Sequence, residues 1–117
     1  MRKIIVVDDE PITRMDICEI LREANYDVVA EAGDGFDAIE QSKKYNPDFA
    51  IIEIGGSVGD LESNPFFYSI AQLNYLYPNN MFFVHISFVP FLEVSKEYKS
   101  KPTQHSIEKL RSLGINP

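Results

Sequence analysis

Two short apolar runs that end in acids set the tightest limit on how this chain can fold. Lys3-Ile4-Ile5-Val6-Val7 runs into Asp8-Asp9-Glu10, and Phe49-Ala50-Ile51-Ile52 runs into Glu53. An apolar run of this length without polar alternation is a strand covered on both faces, and such strands belong to parallel sheets. Between the runs lie helical spacings and short turns. Pro11 suits the first turn of a helix. Ile12, Met15, Cys18, Ile20-Leu21 and Ala24 continue it, and Asn25 suits its end. Val28-Val29-Ala30 is a short second strand. Gly33-Asp34-Gly35 is a turn with a capping acid, and a helix follows from Phe36 to Tyr45 before Asn46-Pro47-Asp48 breaks it. Strand, helix, strand, helix, strand with short joints predicts a parallel, doubly wound sheet. Adjacent parallel strands that both end in acids place a carboxylate pocket at the carboxyl edge, where open α/β sheets hold their sites. Asp8, Asp9 and Glu53 form that pocket.

The second half is less regular. Gly55-Gly56-Ser57-Val58-Gly59-Asp60 is a flexible loop directly after Glu53. Asn64-Pro65 starts a helix, with Asn64 as cap and Pro65 in the first turn. Phe66, Phe67, Ile70, Leu73, Leu76 and Tyr77 mark that helix, which ends before Pro78. Met81 to Ser87 reads as a fourth strand. The stretch from Phe88 to Lys101 contains Pro90 and is too short for both a full helix and a strand. A final helix runs from Thr103 to Leu113, with Gly114 as its C-terminal cap. Residues 113–117 are a tail or the start of a linker.

Charge is unevenly spread. Of the net −7, residues 1–54 hold 13 acids against 6 Lys or Arg, and residues 55–117 hold 5 against 5. An acidic half repels phosphate backbones, so direct nucleic-acid binding is not expected. It suits a cation or a basic partner surface. No apolar stretch approaches the roughly 18 residues of a membrane span, and no signal peptide opens the chain. The single cysteine, Cys18, has no internal partner, which fits a reducing cytoplasm. It reads as a small core residue. His85 in a strand and His105 near a helix start carry no ligand pattern. The glycines at 55, 56 and 59 lack the Lys-Ser/Thr of a phosphate-binding loop.

Val6-Val7-Asp8-Asp9-Glu10-Pro11 and Val28 to Gly35 with Ala38 together resemble the receiver domain of bacterial two-component response regulators. Ile12-Thr13-Arg14-Met15-Asp16 is most similar to receivers that carry an antiterminator output domain. The resemblance is strong over residues 1–54 and loose beyond. It implies a single flavodoxin-like domain over residues 1–117, with a doubly wound parallel sheet of five strands and a shortened or missing fourth helix. It also implies site roles. Asp8 and Asp9 hold Mg²⁺, and Glu53 stands at the phosphoacceptor position, where the family has aspartate. Ser87 takes the place of the switch hydroxyl. Lys101, before Pro102, takes that of the phosphate-contacting lysine, with Lys96 as runner-up.

Glutamate is longer than aspartate by one methylene, about 1.5 Å, and a misplacement of that size costs about 10²-fold in a transfer reaction. Further departures are Ser57 where the family has proline, Gly59-Asp60 in place of Asp-Gly, and the shortened gap between Ser87 and Lys101. The resemblance therefore implies a degenerate, cytoplasmic receiver that is not phosphorylated in the usual way. Such a module is no enzyme and acts by binding a histidine kinase or an output protein, with Mg²⁺ held weakly or not at all. The rival is a working Mg²⁺-dependent receiver that accepts a phosphoryl group from a histidine kinase. A second alternative is a scaffold that forms homodimers through an exposed aromatic face at residues 88–100.

Overall fold

A computed structural model describes residues 1–56, 64–86, 89, 91–98 and 100–117, the side chains of residues 101–103 excepted. The chain divides into two compact units, Met1–Ile54 and Gly55–Pro117.

The first unit alternates as the sequence predicts: β1 (Lys3–Val7), α1 (Pro11–Glu23), β2 (Asp27–Ala32), α2 (Gly35–Tyr45) and β3 (Phe49–Ile52). The strands form one parallel sheet in the order β2-β1-β3. β1 lies in the middle and is buried on both faces. Ile4 and Val6 pack with Cys18 against Ile17 and Leu21 of α1, while Ile5 and Val7 pack with Ala32 against Ala38 of α2. The two helices therefore cover opposite faces, which makes the unit α/β and doubly wound.

Local chemistry fixes where the helices start and stop. Glu10 caps α1, its side chain accepting from the Ile12 amide at 3.2 Å, with Pro11 following. At the other end Asn25 adopts the left-handed region at φ 67. The Tyr26 and Asn25 amides there close back on the Leu21 and Arg22 carbonyls, a Schellman stop. Asp34 caps α2 by accepting from the Asp37 amide at 2.7 Å.

β3 departs from expectation. All four of its residues are exposed, although Phe49-Ala50-Ile51-Ile52 reads as a strand covered on both faces. Among the described residues β3 pairs only with β1, so it is an edge strand. Ala50 and Ile52 line an open groove of about 560 Å³ together with Ile5, Val7 and Ile39.

The second unit holds α3 (Asn64–Leu76), β4 (Phe91–Leu92), β5 (Glu97–Tyr98) and α4 (Lys101–Ser112). β4 and β5 are a two-pair antiparallel hairpin, and the Phe91 and Tyr98 rings sit 5.0 Å apart across it. The end of α4 is anchored by Gly114 at φ 81. Its amide donates to the Arg111 carbonyl, and the Ile115 amide donates to the Leu110 carbonyl. Leu110 and Ile115 are both buried, the apolar contact that accompanies this stop.

A five-stranded parallel sheet is not what the described residues form: three strands are parallel, and the other two make the separate hairpin. The expected fourth strand is the main difference. Residues 81–86 alternate between half-buried and exposed positions, as a strand would, but join no ladder. Ser87, its last predicted residue, lies outside the described residues. The period-two pattern is present, yet a strand also needs a neighbour to bond. Among the described residues, no helix occupies the stretch from residue 89 to residue 98. No described helix is long and apolar enough to cross a membrane.

Candidate functional site

The two acid-ended strands deliver their carboxylates to one edge of the sheet. The Asp8 amide continues the β1–β2 ladder by donating to the Ala32 carbonyl at 3.0 Å. The Glu53 amide continues the β1–β3 ladder by donating to the Val7 carbonyl at 2.9 Å. Backbone pairing therefore holds both residues where their strands end. Carboxylate oxygens of Asp8, Asp9 and Glu53 all lie within 4.8 Å of one another.

Asp8 is the residue to explain. It is only 1% exposed, the one buried charged residue among those described. Its Oδ1 accepts from the Glu10 amide at 2.9 Å. Its Oδ2 is buried and has no hydrogen-bond partner. A buried anionic oxygen without a donor is costly, so the position calls for a cation or a hydrogen-bond donor. Partial burial pushes the Glu53 carboxyl up from its ordinary 4.5, and the nearby carboxylates of Asp8 and Asp9 push the same way. Glu53 is an exposed residue, so solvent screens this shift.

That direction has a consequence for stability. A carboxyl that holds its proton more tightly when folded favours the folded state at low pH. The metal-free protein is expected to lose stability as the pH rises from the ordinary glutamate range through the raised folded value. Urea midpoints measured across that range should fall for the wild type and stay flat at this step for Glu53→Gln. A midpoint that rises instead would show that the folded state prefers ionised Glu53.

Two residues that sequence reasoning passes over complete the edge. Arg14, one turn into α1, donates from Nη1 to the Asp8 carbonyl at 2.8 Å and from Nε to Glu31 Oε1 at 3.2 Å. Glu31 is near the end of β2. The signal was available, because helix side chains lean toward the N-terminus and so toward the preceding turn.

Of the other predicted residues, Ser87 lies outside the described residues, as does the Lys101 side chain. The Lys101 backbone opens α4. Lys96 sits exposed in the turn between β4 and β5, in the left-handed region at φ 55.

The chain matches a family described as CTP synthase N-terminus over residues 21–117. It is 57% identical over 74 residues to a CTP synthase of Mycoplasmopsis pulmonis, covering 63% of this chain and 14% of that protein. It is 48% identical over 79 residues to a CTP synthase of Chlamydia felis, covering 68% of this chain and 15% of that protein. A CTP synthase of Bacteroides fragilis is 53% identical over 74 residues, or 63% of this chain and 14% of that protein. The chain thus spans 14% or 15% of the length of these relatives. Each aligned stretch is longer than residues 55–117, so the likeness reaches into the first unit. The family match includes Glu53 and leaves out Asp8 and Asp9.

These matches overturn the receiver assignment. With it go the degenerate signalling module, the working phosphoryl receiver and the homodimerising scaffold. The expectation of a non-enzyme is also corrected, since the relatives carry the name of an enzyme. The error has a physical source. Carboxylates at the carboxyl edge of a parallel sheet suit a divalent cation and phosphates whatever the reaction, so their pattern does not select one family. Ser57, Gly59-Asp60 and the short gap before Lys101 looked like departures, but all lie within the family match.

Proposed function

This chain belongs to the CTP synthase N-terminus family, and we propose that it serves as part of a CTP-forming enzyme. Within it, Asp8, Asp9 and Glu53 hold a Mg²⁺ ion for the phosphates of a nucleotide. The family match over residues 21–117 carries the CTP-forming reading, and the gathering of Asp8, Asp9 and Glu53 carboxylate oxygens within 4.8 Å of one another supports the cation. The orphaned Asp8 Oδ2 supports the cation. A cluster of carboxylate oxygens without nitrogen or sulfur is the donor set of a hard cation.

The ion would offset charge on the phosphates and orient them. The residues have distinct parts. Asp8 is fixed through Oδ1 and the Glu10 amide, which leaves Oδ2 as a pre-set ligand. Asp9 and Glu53 are exposed and would supply the remaining carboxylate oxygens. CTP bears a run of ionised phosphates, and Mg²⁺ usually joins such phosphates to one or two carboxylates. The single, buried Cys18 suits a reducing cytoplasmic setting.

The test is titration calorimetry on the full chain with MgCl₂, then with CTP in the presence and absence of Mg²⁺. Wild type is expected to bind Mg²⁺ at millimolar concentrations or below, and CTP more tightly with Mg²⁺ than without. Glu53→Gln removes one of three carboxylates and should weaken Mg²⁺ by about 10-fold or more, because Mg²⁺ depends on charged oxygen ligands. Wild type that binds neither Mg²⁺ alone nor Mg²⁺ with CTP would sink the reading.

A further inference from the structure

We infer that Arg14 is a positioning residue, which sets the Asp8 carboxylate for Mg²⁺ by holding its backbone without neutralising it. This rests on the cation reading of the acid trio.

The argument starts from which oxygen Arg14 binds. An arginine beside a cluster of acids ordinarily forms a forked pair with a carboxylate. Here Nη1 donates to the Asp8 carbonyl, and the ion pair is made through Nε with Glu31, outside the trio. The Arg14–Glu31 pair is itself partly exposed, 22% and 41% by side chain, so it contributes little as an ion pair. Its value is geometric. One guanidinium ties the first turn of α1, the end of β1 and the end of β2 together. Gly33 completes the fit, because a Cβ there would stand 3.3 Å from Arg14 Nη1.

Asp8 is therefore held at three points. Its amide is bonded to Ala32, its carbonyl to Arg14 and its Oδ1 to the Glu10 amide. Only Oδ2 is left without a partner. A residue fixed at every other polar atom presents that oxygen in one place. Mg²⁺ demands near-ideal octahedral geometry, whereas Ca²⁺ accepts six to eight oxygens in flexible arrangements. Loosening Asp8 should therefore harm Mg²⁺ binding more than Ca²⁺ binding.

The experiment measures Mg²⁺ and Ca²⁺ affinities of the full chain by calorimetry, for wild type, Arg14→Lys and Gly33→Ala. Lysine keeps the charge but loses the rigid two-direction fork. Gly33 is not in the left-handed region, so alanine fits its backbone and acts only by pressing on the guanidinium. It keeps the test alive if Arg14→Lys does not fold. Circular dichroism melts confirm that each variant is folded at the titration temperature.

Both variants are expected to lose Mg²⁺ affinity, Arg14→Lys by about 10-fold or more, with Ca²⁺ changed far less. The Mg²⁺/Ca²⁺ preference should fall. If both ions weaken in step, Arg14 is structural only. If both ions bind unchanged, Arg14 does not position Asp8. Either result overturns the inference and leaves the cation reading standing. If wild type binds neither ion, the cation reading fails and the inference falls with it.

Discussion

Replacing Asp8 by asparagine is expected to abolish measurable Mg²⁺ binding and, at the same time, to make the metal-free protein more stable. The two effects share one cause. Asp8 is 1% exposed and its Oδ2 has no donor. Asparagine keeps the oxygen that accepts from the Glu10 amide and replaces the orphaned one with an NH₂ group. That group can donate to the neighbouring carboxylates. The relief of one buried unsatisfied polar atom is worth about 1–3 kcal/mol, and the loss of one of three close negative charges acts in the same direction. Urea unfolding without metal should show that gain. With Mg²⁺ at 100 times its dissociation constant, wild type should gain about 2.7 kcal/mol and the variant nothing. The order of stability then narrows or inverts. Asp8→Asn that is less stable without metal would show that Asp8 is kept for folding rather than for a cation.

The second large effect lies in the centre of the sheet. Ile5→Ala should destabilise the protein by about 2–5 kcal/mol, a large part of the roughly 5–15 kcal/mol typical of a folded domain. Ile5 is 1% exposed and packs with Val7 and Ala32 against Ala38. Shortening it leaves a void beneath α2. Ile52→Ala is the control, since Ile52 is 62% exposed on the edge strand and should shift stability by no more than about 0.5 kcal/mol. Denaturant midpoints on both variants check the contrast. Equal losses would mean that β3 is as deeply buried as its sequence suggests.

The contrast between Ile5 and Ile52 shows where legibility stopped. Both residues sit in apolar runs that end in acids, and nothing in either run says which strand is central. Strand order follows from pairing, which is a long-range property. The helices were easier, because their ends are set by local chemistry at Pro11, Asn25, Asp34 and Gly114. The segment at 81–86 failed for the opposite reason: its alternation is local, but its pairing would need a partner strand.

The acid trio was legible because the carboxyl edge of a parallel sheet gathers the residues that end its strands. The family was not legible from that trio. Glu53 is a lengthened aspartate only against the receiver pattern, and the family match, which begins at residue 21, includes it. The receiver resemblance rests on Val6 to Pro11 and Ile12 to Asp16, which that match leaves out, and on Val28 to Gly35 with Ala38, which it includes.

The sequence alone determined the alternating strands and helices of the first unit, their caps, and the acids that end β1 and β3, because each depends on neighbours a few residues away. Only the tertiary structure decided that β1 is central and β3 exposed, that Asp8 is buried with one oxygen unpaired, and that Arg14 reaches its carbonyl and not its carboxylate. Those outcomes depend on which distant backbone groups pair and what they leave uncovered, and no local pattern carries that information.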